Sequence, residues 1–494
     1  MRPHPLLPSC CHVEFRNNLP LLIAAPCSGS GKTVLSLLLV AAAHTRGLGL
    51  QTFKVGPDYL DPQLLSSASG RPCRNLDLIL CGAQWVRSSF AFWSEQVPLA
   101  LVEGVMGLFD GRGPSSEGSS AAVALELNLP VVLMVEASRQ AGSLAAMVRG
   151  FRDHDPRLQI AGVVLNGVST ERHRQLLTEA LAAVSMPLLG VIPRQMELEL
   201  PSRHLGLVPP QELEAWPQRL EQFNKYGADW LKMEMLFALM ATAGAAKAVP
   251  NPISIAMGAI QKKPEQSAYV SPLIVIAKDK AFHFCYPELP EWLEALGCEV
   301  AWWAPLEDQA LPVNTAAVVL PGGYPELQAA ELSSCERSLA SLARHCQLGM
   351  PLYAECGGLL LLGQELLDPE GKAHPMAGVL PFRGLRGSLS LGYREATSLA
   401  NGLVVRTGEP LKGHEFHRWQ LEDCQKPILK KITPITSPAW MLEGWGVMAK
   451  VEGWTNAALH ASWLHLNWGG CPSIPQRLRD AAIAATAKQQ ARLN

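Results

Sequence analysis

The sequence predicts an α/β protein built from two doubly wound domains in series. Three observations carry this. Short apolar runs alternate with helical stretches through the first half. The pattern breaks over 244–271, where small residues, prolines and a polar cluster read as a linker, and it then resumes. Each half also carries a glycine-bounded turn from an apolar strand into a helix, at Pro26–Thr33 and at Ala354–Gly358.

The first series of runs is Pro20–Ala25, Gln51–Val55, Leu99–Val102, Val131–Val135, Ile160–Leu165 and Pro187–Ile192. None alternates strictly, which suits parallel strands buried on both faces. Stretches such as Thr33–His44 supply the crossovers, giving a doubly wound sheet. The second series is Leu273–Ala277, Glu299–Trp303, Ala316–Leu320 and Pro351–Ala354, and Pro475–Arg492 reads as a closing helix with Ser473 as its cap. The resulting division is a loose tail (1–19), a first domain (20–243), a linker (244–271), a second domain (272–470) and a terminal helix (471–494).

At 494 residues the chain has room for about three domains of roughly 150 residues. With 42 basic and 44 acidic residues its net charge is −2, which argues against a nucleic-acid backbone binder. Apolar residues at 48% and charged residues at 17% exclude wholesale disorder. No apolar run approaches the ~18–20 residues of a membrane span, and the N-terminus lacks the apolar core of a secretory signal. The 12 cysteines are scattered without zinc-like spacing, so the reading is a reduced, cytoplasmic protein.

Pro26-Cys27-Ser28-Gly29-Ser30-Gly31-Lys32-Thr33 follows a strand and opens a helix, the context a phosphate loop requires. Gly29 and Gly31 let backbone N–H groups turn inward, Lys32 would neutralise phosphate charge, and the Thr33 hydroxyl would ligate Mg²⁺. Ligands of such sheets bind at the carboxyl ends of strands. Glu103 closes the Leu99–Val102 run and is placed to reach the metal. Asp110 follows on the next loop, and Asp58 and Asp61 lie on a Gly/Pro-shaped loop after Val55. Asn166 and Arg194, each just past a strand, are candidates for the nucleotide base.

In the second half, Ala354-Glu355-Cys356-Gly357-Gly358 has the small-x-Cys-x-Gly form of a nucleophile elbow, with the following helix N-terminus favouring thiolate. The N–H groups of Gly357 and of Gly323, in Leu320-Pro321-Gly322-Gly323, can face a developing oxyanion. Read as one strand, Leu459–Trp468 turns His460 and His465 to opposite faces; His465 is the base and His460 is structural. His414 and His417 form a separate polar cluster without zinc-like support.

Taken together, GSGKT, KVGPDYLDP (Lys54–Pro62), EGVMGLFDG (Glu103–Gly111), LPSRHLGLVP, LPGGYPE, AECGGL, LGYRE, GHEFH and ASWLHLNW resemble the cobyrinate a,c-diamide synthase family over about Pro20 to Gly470. The resemblance implies a dethiobiotin-synthetase-like domain that binds ATP and Mg²⁺, and a class I-type glutaminase domain. It implies Cys356 as nucleophile, His465 as its partner, and Asp58, Tyr59, Leu60, Asp61, Glu103 and Asp110 as positions handling substrate, intermediate or metal. Other class I glutaminases place Glu two residues after the histidine, where this chain has Asn467, so the third triad member is unassigned. The implied partners are a corrinoid (cobyrinate), L-glutamine and ATP, with no nucleic acid and no membrane; the oligomeric state stays open, a homodimer among the options. Also open are a cobalt-free corrinoid or nickel sirohydrochlorin as substrate, the side chains amidated by cobyric acid synthase, a non-catalytic metabolite sensor, and, in a different class, a P-loop switch protein, against which the Cys356/His465 half argues.

Overall fold

A computed structural model describes residues 20–194, 198, 200–203, 206–242, 249–260, 271–424 and 436–493. The tail expected over 1–19 lies outside them.

The first domain is a seven-stranded parallel sheet: β1 (Leu21–Ala24), β2 (Leu50–Val55), β3 (Arg74–Leu76), β4 (Leu99–Glu103), β5 (Val131–Glu136), β6 (Ile160–Asn166) and β7 (Leu188–Ile192), in spatial order β3-β2-β4-β1-β5-β6-β7. Strand β1 explains why the runs do not alternate. Leu21 and Ile23 enter the core on one face of the sheet, Leu22 and Ala24 the core on the other, and all are buried. Each leucine withdrawn from water contributes about 1.5–3 kcal/mol. The helix Lys32–Thr45 leaves β1 and packs beneath the helix Trp216–Trp230, whose Gly227 sits where a Cβ would come 3.3 Å from the Leu38 carbonyl. A short ribbon, β8 (Ser202–Arg203) with β9 (Gly206–Leu207), follows β7.

The second domain has eleven strands in one sheet. Its parallel half contains β10 (Leu273–Ala277), β11 (Glu299–Trp303), β12 (Thr315–Leu320) and β13 (Leu352–Glu355), matching the four expected runs within a residue or two, and β20 (Leu459–Ser462), which is shorter than the strand expected over Leu459–Trp468. The sheet continues through β14 (Glu365–Leu367), β15 (Ala373–Pro375), β16 (Phe382–Ser398), β17 (Pro410–Asp423), β18 (Ser437–Gly444) and β19 (Val447–Thr455), where β16–β19 form long antiparallel ribbons that reach toward the first domain.

Two expectations need correction. Within 244–271, the segment Pro252–Ile260 is a helix: the Asn251 carboxylamide accepts from Ile253 N at 2.8 Å, Pro252 occupies the first turn, and Ile253 is buried beside Trp85 and Trp292. Proline there starts a helix instead of breaking one. The closing helix runs Ser473–Leu493, so Ser473 lies within it.

The domains meet over a broad mixed surface. Trp85 stacks on Trp292 at 6.1 Å. Arg74, 1% exposed, pairs with Glu288 at 3.3 Å and Glu291 at 2.7 Å and lies 3.7 Å over the Trp93 ring. The Tyr393 hydroxyl donates to Asp77 at 3.0 Å, and Arg112 pairs with Glu395 at 2.7 Å.

Candidate active site

A cavity of about 880 Å³ lies between the domains, floored by the phosphate loop and roofed by β16, β17 and the β18–β19 turn. Gly29 and Gly31 both take left-handed φ, at 77° and 102°. A Cβ on Gly31 would come within 2.7 Å of the Asn166 amide nitrogen, so only glycine fits. Ser28, Gly29, Gly31, Lys32 and Thr33 line the cavity, while the Ser30 hydroxyl turns back to the Cys27 carbonyl at 2.9 Å. Lys32 Nζ donates to the Met106 carbonyl at 2.6 Å. Burial, and then the Lys54 charge, hold its pKa below the usual value.

The acids gather around a residue that the sequence reading quoted without assigning a role. Lys54, at the end of β2, is buried, and its Nζ lies 2.7 Å from Glu103 Oε1, in short contact with Asp61, and 3.5 Å from Asp58. Burial by itself would lower its pKa, but Asp61, Glu103 and Asp58 outweigh that and raise it well above the ordinary value. A lysine set inside the otherwise uncharged run Gln51–Val55, one residue before Gly56-Pro57-Asp58, was the available signal. Glu103 is fully buried; its Oε1 also accepts from the Thr33 hydroxyl at 2.9 Å, and its Oε2 has no hydrogen-bond partner among the described residues. That hydroxyl and orphaned carboxylate oxygen are a hard-oxygen donor set of the kind Mg²⁺ takes. Among the described residues no three His, Cys, Asp or Glu side chains group to hold an ion on their own, so such a site would need phosphate oxygens as well.

The other predicted residues divide. Asp58 lines the cavity, but its Oδ1 accepts from Leu60 N at 2.9 Å and Asp61 N at 3.3 Å, holding the turn into the helix Asp61–Ser69. Burial, then the Asp61 charge, push its pKa up to about 7. Asp110 accepts from Gly107 N at 2.7 Å; it shapes the loop after β4 and is not among the cavity's lining residues. Asn166 donates to the Ser30 carbonyl at 3.1 Å, supporting the phosphate loop from behind. Arg194 is exposed and stands away from the cavity wall. Tyr59 and Leu60 are buried in an apolar cluster with Phe284 and Tyr286 of the second domain.

At the end of β13, Cys356 adopts φ 47°, ψ −117°. That conformation costs a non-glycine residue on the order of 1–3 kcal/mol and marks the strained elbow. A Cβ on Gly358 would come 2.2 Å from the Leu320 carbonyl, which explains the glycine. The helix after the elbow is one turn, Gly357–Leu360, so little dipole is available to the thiol. Cys356 is buried with its Sγ 3.7 Å from the Phe416 carbonyl. Gly323, at φ 156°, lies against Gly357: a Cβ on Gly357 would sit 2.9 Å from Gly323 N.

The histidines separate for a reason other than the expected one. Strand β20 ends at Ser462, so His465 is beyond it and alternation does not apply. A backbone bridge with His414 holds His465 instead, at 3.0 and 2.9 Å. Burial would lower the His465 pKa, but Cys356 and Glu355 outweigh it and raise it to about 10. His460 remains in β20, stacked on Tyr353 at 5.4 Å. His417 stacks on Trp463 at 4.0 Å with Nδ1 against the Trp419 carbonyl at 2.7 Å. His414 lines the cavity, its pKa lowered to about 3 by burial, then by His465 and Arg394.

Two protein-family models match the chain. Residues 21–208 match the CobQ/CobB/MinD/ParA nucleotide binding domain, and residues 273–470 match the CobB/CobQ-like glutamine amidotransferase domain. A cobyrinate a,c-diamide synthase from Synechococcus sp. is 40% identical over 95% of this chain and 99% of its own length. The chain belongs to the cobyrinate a,c-diamide synthase family. It is therefore a ligase of the glutamine amidotransferase kind with a nucleotide-binding domain. A relative of the same name from Gloeobacter violaceus is 40% identical over 91% of this chain and 94% of its own. A hydrogenobyrinate a,c-diamide synthase from Streptomyces coelicolor is 38% identical over 92% and 96%. No helix among the described residues is long and apolar enough to cross a membrane.

Proposed function

We propose that the chain converts the a and c acetate carboxylates of a cobyrinate-type corrinoid to amides, drawing nitrogen from glutamine and activation from ATP. The observation that carries this is the position of Tyr59. It belongs to the loop that holds Asp58 and Asp61 beside the phosphate loop, yet its ring packs 5.0 Å from that of His465. Two chemistries thus adjoin one cavity.

In the glutaminase half, the Cys356 thiolate attacks the side-chain amide of glutamine. The N–H groups of Gly323 and Gly357 receive the oxyanion, His465 protonates the leaving ammonia, and water then releases glutamate. Ammonia crosses past Tyr59 and Phe416 into the cavity. There the carboxylate takes the γ-phosphoryl group of ATP, releasing ADP, and ammonia displaces phosphate from the acyl phosphate. Lys32 and the backbone of Ser28–Thr33 hold the phosphates, and Lys54 keeps Asp58, Asp61 and Glu103 in register around the acceptor. Thr33 and Glu103 would hold Mg²⁺, which when bound supplies positive charge against the phosphoryl oxygens. The coupling has a physical motive: a carboxylate is a poor acceptor until activated, and ammonia in bulk water at pH 7 is mostly protonated.

The cavity's rim suits a large, flat, apolar ring. Leu391 (54% exposed), Trp445 (69%) and Met106 (42%) stand around its mouth beside Tyr393 and Phe416. Relatives named for cobyrinate and for hydrogenobyrinate are nearly equally similar, so either corrinoid fits this reading.

The test uses a substrate panel with ATP and either glutamine or ammonia, read by mass spectrometry: cobyrinate, its cobalt-free counterpart and nickel sirohydrochlorin. Two successive one-unit mass losses on a corrinoid are expected. Cys356→Ala should abolish the glutamine-driven product and leave the ammonia-driven one. No corrinoid product from either nitrogen source would overturn the reading.

A further inference from the structure

Glu355 precedes the nucleophile at the end of β13 and is buried, 4% exposed. Its Oε1 accepts from the Tyr353 hydroxyl in a short contact and from Leu466 N at 3.2 Å. Its Oε2 lies 3.6 Å from His465 Nδ1. Asn467, at the position where a third triad acid was sought, uses its Oδ1 to accept from Gly469 N at 3.0 Å and so holds a turn.

We infer that Glu355 is the positioning residue of the glutaminase: it orients His465 with Nδ1–H toward its carboxylate and leaves Nε2 for Cys356. This rests on the reading of Cys356 and His465 as nucleophile and base. The geometry supports it in three ways. Because Oε1 is tied by two donors, the carboxylate cannot swing away, and Oε2 is the oxygen left for the ring. An ionised carboxylate only accepts, so the imidazole must offer N–H at Nδ1, which fixes the tautomer. Among the described residues both His465 ring nitrogens otherwise lack a hydrogen-bond partner, and an imidazolium formed during the reaction would be buried without a counter-charge were Glu355 absent. The 3.6 Å separation is that of an ion pair, and such contacts tighten to hydrogen bonds when substrate closes the site. The arrangement places the acid beside the nucleophile in sequence, on the strand that carries it, instead of beside the histidine.

The test is Glu355→Gln in the full chain. The amide oxygen can still accept from Tyr353 and Leu466, while its NH₂ faces Nδ1 and reverses the tautomer preference. Loss of the tautomer-setting acid costs ~10²-fold or more in kcat for glutamine hydrolysis. The KM for glutamine should stay within about twofold, as expected when an interaction made only in the transition state is removed. Ammonia-driven amidation should persist, and Glu355→Asp should recover part of the lost rate; the Asp variant also serves if the Gln variant does not fold. Wild-type hydrolysis by Glu355→Gln would overturn the inference, as would a parallel loss of ammonia-driven amidation and melting temperature, which marks a purely structural role. Cys356→Ala and His465→Ala run alongside. If both still hydrolyse glutamine, the reading of the site itself fails; if both are inactive and Glu355→Gln is normal, only the role of Glu355 fails.

Discussion

The ring of Tyr59 lies 5.0 Å from the ring of His465, its plane inclined by 42°, and stacks on Phe284 at 5.2 Å. One side chain of the loop that carries Asp58 and Asp61 therefore forms part of the wall around His465. Asp58 and Asp61 share that loop, so a shift of the loop on substrate binding moves a ring packed against His465.

Tyr59→Ala should accordingly uncouple the halves. Ammonia-driven amidation should fall little, while glutamate released per amide formed should rise above one as ammonia escapes. The substitution leaves a cavity and costs ~3–5 kcal/mol of packing, whereas Tyr59→Phe keeps the stack and should stay coupled. Measuring glutamate and amide together decides: a one-to-one ratio in Tyr59→Ala would rule out the wall role.

A different outcome is expected at the acid cluster. Glu103→Gln removes a buried charge that Lys54 and Thr33 both contact. Amidation should collapse with either nitrogen source, and glutamine hydrolysis should survive. Lys54→Met leaves three carboxylates without their shared cation, a loss of ~3–5 kcal/mol by analogy with broken buried pairs. Calorimetric melting together with ammonia-driven turnover checks both; normal diamide formation by Glu103→Gln would remove it from the phosphate chemistry.

Sequence reading located most parallel strands because fully buried strands must be continuous apolar runs, as β1 and β12 are. It passed over β16–β19 because a twisted ribbon such as Phe382–Ser398, interrupted by Gly384, Gly387 and Gly392 and half exposed, carries no such run. The elbow was legible since its strain demands Gly357 and Gly358 beside Cys356. The positions of Lys54 and Glu355 were not, because each derives its role from charges brought together by folding: Lys54 from Asp61 and Glu103, Glu355 from a histidine more than a hundred residues away. Tyr59 matched a family motif, but its contact with His465 depends on how two domains dock, which no local pattern encodes.

That docking depends in part on Arg74. It is buried between Glu288, Glu291 and the Trp93 ring. Arg74→Met should destabilise the chain by ~3–5 kcal/mol, because Glu288 would be left buried without its cation. Adding Glu288→Gln should restore part of that loss. A double-mutant cycle by denaturant unfolding measures the coupling, and strict additivity would show that the pair does not act together.

The second interdomain tether gives a pH dependence. Asp77 is 2% exposed; its Oδ1 accepts from Ile79 N at 2.9 Å and Leu80 N at 2.8 Å, and its Oδ2 from the Tyr393 hydroxyl at 3.0 Å. Burial nevertheless dominates and pushes its pKa up to about 6 from 3.8. An acid whose pKa is higher folded than unfolded binds its proton more tightly in the native state. Below about pH 4 both states are protonated and Asp77 contributes no pH dependence. Between about pH 4 and 6 the unfolded chain has lost a proton that the native one keeps, so stability falls as pH rises. Above about pH 6 the penalty is complete, at most about 3 kcal/mol at ~1.4 kcal/mol per unit. Asp77→Asn keeps an oxygen for Ile79 and Leu80 and an N–H for the Tyr393 hydroxyl, yet has no charge to bury. Its melting temperature relative to the parent should climb by a few degrees from pH 4 to 7 and then level off. Parallel melting curves of the two proteins across that range would show that the Asp77 pKa is the same in the folded and unfolded chain, and so would overturn the burial penalty.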